Sequence, residues 1–168
     1  PSKAPIVLAG WRFVVTGGAG GIGEAVVRRA AQAGARVLIA DLHGQSARDL
    51  AVRIDPGGTT VGATACDVTK VEDCERLVLE AEQFFDGPID VFHANAGLSF
   101  AGDFLTASPA DLRRVIEVNV VGSLLSAQAA LRSLVKSPHA SLIFSGSISG
   151  QVARSRRSAY TASKHAVH

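Results

Sequence analysis

The chain has 168 residues, 47% hydrophobic and 19% charged, a balance that excludes a disordered polypeptide and allows one globular domain over residues 1–168. Seventeen basic residues against fifteen acidic ones leave a net charge of +2, and Arg28/Arg29, Arg113/Arg114 and Arg154/Arg156/Arg157 have no interleaved aromatics, so nothing supports nucleic-acid binding. Cys66 and Cys74 cannot build a disulfide framework and lack zinc-ligand spacing, no apolar run reaches the ~18 residues of a membrane span, and the first dozen residues lack a cleavable leader, so a reduced cytoplasmic protein is expected.

Apolar runs and helical patterns then alternate along the chain. Arg12 to Thr16 reads as a first strand that ends in a glycine cluster, and a helix follows from Ile22 to Ala33 with Ile22, Ala25, Val26, Ala30 and Ala33 on one face. Gly34 stops that helix. A second strand, Arg36 to Ala40, ends at Asp41, and a helix from Gln45 to Ile54 closes at Asp55-Pro-Gly-Gly. Val61 to Cys66 is a third strand, Val71 to Phe85 a third helix and Ile89 to His93 a fourth strand. After a loop to Ala107, Ser108 caps and Pro109 starts a long helix that runs to Val135. Ser141 to Ser145 is a fifth strand, and a last helix begins near Ser158.

This strict alternation with short connections predicts right-handed crossovers and a Rossmann-like, doubly wound α/β fold with a parallel sheet. Ligands in such folds bind at the carboxyl ends of the strands, which directs attention to the residues just after each one.

Thr16-Gly-Gly-Ala-Gly-Gly-Ile-Gly23 lies between strand and helix, the context in which glycines let the backbone approach a pyrophosphate and the helix N-terminus faces the anion. Two registers fit: Gly17, Gly21 and Gly23, or Gly17, Gly20 and Gly23. Asp41, at the end of the second strand, can accept both hydroxyls of an adenosine ribose and would repel a 2′-phosphate; with no Arg or Lys in the turn, NAD is expected over NADP.

Tyr160 is the only tyrosine, and Lys164 follows at i+4 on one helix face. A phenol ionises near pH 10, and a neighbouring ammonium favours the phenolate. Ser147 supplies a hydroxyl just beyond the fifth strand. The five histidines show no metal-ligand spacing and read as surface or core. Ser145 and Ser149 read as turn residues, and the Arg154–Arg157 segment as a solvated basic loop.

Taken together, the glycine turn, Asp41, Cys66-Asp67-Val68, Asn95-Ala96-Gly97, Asn119, Ser147 and Tyr160-Thr-Ala-Ser-Lys164 resemble the short-chain dehydrogenase/reductase family, in its small members, from Arg12 to the last residue. The resemblance implies a strand order of 3-2-1-4-5 and selects Gly17, Gly21 and Gly23 as the motif glycines, with Ile22 among the cofactor-binding residues. It implies that Tyr160 is the general acid/base, that Ser147 holds the substrate oxygen, and that Lys164 lowers the Tyr160 pKa and binds the nicotinamide ribose. Asn119 would hold a water linking Lys164 to solvent. Asp67 and Val68 would meet the adenine end, and Asn95, Ala96 and Gly97 would line the cofactor. The implied activity is NAD(P)-dependent interconversion of a secondary alcohol and a ketone, by a homodimer or homotetramer; a non-catalytic nucleotide-binding module that kept the fold is the alternative.

Leu98, Phe100 and Phe104 suggest a partly apolar substrate pocket. The family normally continues through two more strands beyond the catalytic lysine, so a chain that starts at Pro1, has no Met and stops at His168 is expected to be a fragment of a longer protein.

Overall fold

The computed structural model describes residues 7–168, so the first half of the segment read for a leader lies outside the described residues. The elements are β1 (Arg12–Thr16), α1 (Gly21–Gln32), β2 (Arg36–Asp41), α2 (Gly44–Ile54), β3 (Val61–Ala65), α3 (Val71–Phe85), β4 (Val91–Ala94), α4 (Pro109–Ile116), α5 (Ser123–Leu134), β5 (Ser141–Phe144) and α6 (Ser158–Val167). The strands form one parallel sheet in the order β3-β2-β1-β4-β5, the order that the family resemblance implies. No described helix is long and apolar enough to cross a membrane.

Successive strand residues point to opposite faces, and both faces are covered. Val14, Leu38 and Phe92 pack with Leu77 and Ala81 of α3 and Ala130 and Leu134 of α5. Val15, Val37 and Ile39 pack on the other face with Val27 of α1 and Leu50 of α2. Each fully buried Val, Leu or Ile contributes roughly 1.5–3 kcal/mol relative to exposure, so this two-sided core makes the strand ends a rigid platform.

Three sequence expectations need correction. The buried face of α1 is Gly23, Val27 and Ala30, and Ile22 stands 70% exposed, because the stripe that faces the sheet begins at Gly23, which packs closely on the turn. Strand β4 runs from Val91 to Ala94 rather than Ile89 to His93, since Asp90 is engaged before the ladder begins. The long helix is not one α-helix: a π-helical segment, Glu117–Gly122, separates α4 from α5. Ser123 and Ser126 donate their hydroxyls to the carbonyls of Asn119 and Gly122, each 2.8 Å, an insertion into the backbone ladder that accompanies bends and bulges. The start of α4 is as read, with the Ser108 hydroxyl accepting from the Asp111 N–H at 3.0 Å and Pro109 in the first turn.

The buried Asp90 carboxylate pins the sheet at its amino edge. It accepts from the Arg12 backbone N–H (2.9 Å), from Arg12 Nε and Nη2 (both 2.8 Å) and from Ser137 Oγ (2.5 Å). Burial works to raise its pKa, but these donors outweigh it and hold the group below its ordinary value of 3.8. A carboxyl whose pKa is lower folded than unfolded stabilises the fold above the unfolded value, and that contribution is lost as pH falls through the folded value. Asp90→Asn is expected to cost about 3 kcal/mol in urea denaturation at neutral pH, the scale for breaking a buried ion pair, and to flatten the loss of stability below about pH 4. An unchanged acid limb in the variant would contradict this assignment.

Candidate functional site

Strand order reverses between β1 and β4, and the crevice at their carboxyl ends is where open α/β sheets take ligands. A cavity of about 570 Å³ opens there, extending from Asp41 and Leu42 past Gly17–Ile22 and Asn95–Gly97 to Tyr160 and Lys164.

The turn after β1 requires glycine at particular places. Gly17 and Gly21 adopt φ of 60° and 54°, the left-handed region that glycine enters freely. A Cβ on Gly17 would lie 2.8 Å from Ala96 Cα, and one on Gly23 would lie 2.8 Å from Asn95 Nδ2. Gly20 is extended, at φ −160°, with open space where a Cβ would go. The demanding positions are therefore 17, 21 and 23. The first N–H groups of α1 lack helical partners, and Gly20, Gly21 and Ile22 line the cavity, so the helix start is available to an anion while Gly23 lies beneath the turn.

At one end of the cavity Asp41 is oriented by two backbone donors, Ala19 N–H at 3.0 Å and His43 N–H at 2.9 Å. Beside it, Asp67 accepts from Thr69 N–H (3.1 Å) and Thr69 Oγ1 (2.7 Å). Val68 is buried against α5's approach: a Cβ on Gly122 would come within 2.7 Å of Val68 Cγ2. Cys66 and Cys74 are both free and buried. A hydrogen bond to Cys74, together with burial, pushes the Cys66 thiol well above the ordinary thiol range, so it forms wall rather than nucleophile. Among the described residues no group of three His, Cys, Asp or Glu is placed to hold a metal ion.

The centre is a hydrogen-bonded clamp. Asn95 Nδ2 donates to the carbonyls of Thr16 (3.0 Å) and Gly17 (3.1 Å), and Thr16 Oγ1 accepts from the N–H groups of Asn95 (3.0 Å) and Ala96 (3.1 Å). Ser145 Oγ donates to Asn95 Oδ1 at 2.8 Å, and the Ser145 carbonyl accepts Lys164 Nζ at 2.6 Å. Lys164 is buried, which lowers its pKa.

At the other end two cations stand over the half-buried Tyr160 ring, Lys164 Nζ and Arg157 Cζ, each 5.8 Å from its centroid. Arg157 Nη1 also reaches Ser99 Oγ at 3.0 Å, tying the loop after β4 to the start of α6. Tyr160 and Lys164 line the cavity; Ser147 and Asn119 do not. Ser147 caps a short 3₁₀ turn, its Oγ accepting from Ser149 N–H at 3.1 Å. Asn119 is fully buried, and its amide is spent: Nδ2 donates to the Leu98 carbonyl (2.9 Å) and Ser163 Oγ (3.0 Å), while Oδ1 accepts from Leu98 N–H (2.7 Å). Of the apolar residues read as pocket, Leu98 lines the cavity, whereas Phe100 does not and Phe104 borders a separate one. Ser145, read as a turn residue, lines the cavity and links β5 to the clamp.

Comparison with known proteins matches residues 12–168 to the family described as short chain dehydrogenase. The chain is 36% identical over 172 aligned positions to the sex determination protein tasselseed-2 of Zea mays, covering 99% of this chain and 50% of that protein. It is 41% identical to 1-deoxy-11-beta-hydroxypentalenate dehydrogenase of Streptomyces exfoliatus, covering 91% of this chain and 56% of that enzyme. The chain thus spans about half the length of these relatives. Among solved structures, a short-chain dehydrogenase/reductase, glucose/ribitol dehydrogenase, from Brucella melitensis superposes with a TM-score of 0.90 at 26% identity, over 97% of this chain and 68% of that one.

Proposed function

The chain belongs to the short-chain dehydrogenase family, and on that premise we propose that it binds NAD and interconverts a secondary alcohol and a ketone, with Tyr160 as the acid/base. The observation that carries this reading is the convergence, in one cavity, of a glycine turn that leaves no room for a side chain at Gly17 and Gly23, the Asp41 carboxylate and the Tyr160–Lys164 pair. When bound, the nicotinamide supplies or accepts the hydride.

Each residue has a distinct task in this reading. Gly17, Gly21, Ile22 and Gly23 form the pyrophosphate cradle, with Gly23 keeping the helix against the turn. Asp41 receives the adenosine ribose hydroxyls, Asp67 and Val68 bound the adenine, and Asn95, Ala96 and Gly97 hold the floor. Lys164, buried and held at the Ser145 carbonyl, has further N–H donors for the nicotinamide ribose. Tyr160 Oη exchanges the proton with the substrate oxygen, and Ser147 Oγ hydrogen-bonds that oxygen. Asn119 keeps the Leu98 backbone and α6 in register; with its Nδ2 hydrogens already committed, a water serving Lys164 would have to be held by its oxygens. Among the relatives, one is named 1-deoxy-11-beta-hydroxypentalenate dehydrogenase and another, from Lavandula x intermedia, is named borneol dehydrogenase, mitochondrial, names that support an alcohol as substrate. A homodimer or homotetramer in the cytoplasm completes the reading, supported on the surface of α4 and α5 by exposed Ile116, Leu124 and Leu131.

NAD is favoured over NADP because Asp41 stands beside Leu42, His43 and Ser46 in the cavity lining, and the turn from Thr16 to Gly23 carries no Lys or Arg. NADH is expected to bind at least about tenfold more tightly than NADPH in a fluorescence titration at moderate salt, and Asp41→Ser to erase most of that difference. Tighter binding of NADPH by the wild-type protein would reverse the cofactor assignment. A second reading, nucleotide binding without turnover, is favoured by the Ser147 hydroxyl being occupied by Ser149 outside the cavity lining. Turnover of any member of a panel of secondary alcohols and ketones decides for the enzyme; saturable NADH binding with no turnover across the panel decides for the second reading.

A further inference from the structure

His93 is the third residue of β4, in register with Val15 of β1 and Ile143 of β5, and is 6% exposed. Its only side-chain hydrogen bond among the described residues runs from Nε2 to Ser145 Oγ, 2.9 Å. The direction of that bond follows from the groups around it. Thr16 and Gly17 present carbonyls, which only accept, so both N–H groups of Asn95 Nδ2 are committed to them. Asn95 Oδ1 must then accept, and the one proton of the Ser145 hydroxyl goes to it. Ser145 Oγ is left as an acceptor, and His93 must donate from Nε2. The imidazole is the Nε2–H tautomer, and burial lowers its pKa.

We propose that His93 is a positioning residue for the cofactor site: its Nε2–H fixes the Ser145 hydroxyl, and through it the Asn95 amide that grips the glycine turn. Ser145 is also where the Lys164 ammonium is anchored, through the backbone carbonyl at 2.6 Å. One residue thus registers the turn that would cradle the pyrophosphate and the cation that would meet the ribose. Linked polar groups of this kind in a low-dielectric interior depend on every member being satisfied. Removing the imidazole donor leaves the Ser145 hydroxyl free to rotate away, and the Asn95 oxygen loses its donor.

The inference rests on reading the cavity as a nicotinamide nucleotide site, and the experiment separates the two. NADH affinity and melting temperature are measured for the wild-type protein, His93→Leu, His93→Gln, Ser145→Ala and the His93→Leu/Ser145→Ala double variant. His93→Leu is expected to bind NADH about tenfold more weakly, the scale of a lost buried hydrogen bond. His93→Gln, whose side chain can place an N–H near the Nε2 position, is expected to recover to within about threefold. Ser145→Ala should match His93→Leu, with the double variant no worse than either, because both break one linkage; Ser145→Ala carries the test by itself if His93→Leu does not fold. Wild-type affinity in His93→Leu or Ser145→Ala overturns the proposal, as does a folded His93→Gln that binds no better than the leucine variant, or additive losses in the double. A wild-type protein that binds no NADH overturns the nucleotide reading, and this inference with it.

Discussion

Tyr160→Phe is expected to lower turnover by about a thousandfold, within the range of roughly 10²–10⁴ that a positioned general acid/base supplies, while NADH affinity stays within about twofold. The two readouts separate because of how the ring is held. Its backbone carbonyl accepts the Ser163 hydroxyl at 2.7 Å, and Ser163 in turn accepts from Asn119. The ring itself has Lys164 and Arg157 within cation–π distance. All of these contacts survive in phenylalanine. No hydrogen bond within the described residues ties the phenol Oη, so removing it orphans no partner. Steady-state kinetics with a turned-over alcohol and a parallel NADH titration check the split. A loss of less than about tenfold in turnover would remove Tyr160 from the acid/base role.

Gly23→Ala is expected to destabilise the protein by about 2–3 kcal/mol and to weaken NADH binding by about a hundredfold. The new methyl would lie 2.8 Å from Asn95 Nδ2 and 2.9 Å from Gly18 Cα. Neither neighbour is the free end of a flexible side chain: Asn95 is fixed by four hydrogen bonds through its side chain and N–H, and Gly18 is backbone. Relief therefore comes only by lifting α1 from the turn, which moves the helix N-terminus. Gly20→Ala serves as the control. Its extended backbone suits any residue and nothing stands within 4 Å of its Cβ, so its stability should stay within about 1 kcal/mol of wild type. Chemical denaturation of the two variants side by side tests the contrast, and equal losses would refute the close-approach account.

Element positions were legible because local patterns at the ends of the elements agree with the global fold: Thr16 leads into glycines, Asp41 ends β2, Asp67 follows β3, and Ser108-Pro109 opens α4; the strand order came from the family resemblance. The site was legible where its chemistry lies within a few residues, as in the glycine turn or Tyr160 and Lys164. It was not legible where partners are distant. Ser145 reads as a turn residue until the fold sets it against Asn95, and His93 reads as one more surface or core histidine until β5 lies beside it. The π-helical segment was hidden for a different reason. Apolar spacing through Val115, Val118 and Gly122 suits a continuous helix, while the bulge depends on hydroxyls that back-bond from Ser123 and Ser126. Ile22 misled because amphipathic counting gives glycine no weight, although Gly23 heads the buried stripe that continues through Val27 and Ala30.

The π segment also limits how this part of the molecule can change in length. Each residue in an α-helix advances the side-chain direction by about 100°, so adding one residue at the start of α5 would swing everything downstream by that angle. Ala130 and Leu134 would leave the core that they share with Phe92. A π turn holds one residue more than an α turn, so losing one residue other than Asn119 within Glu117–Gly122 is taken up by closing the wide turn to α geometry. The segment is thus a built-in length reserve, the place where this element can shorten by one residue with α4 and α5 both keeping their faces.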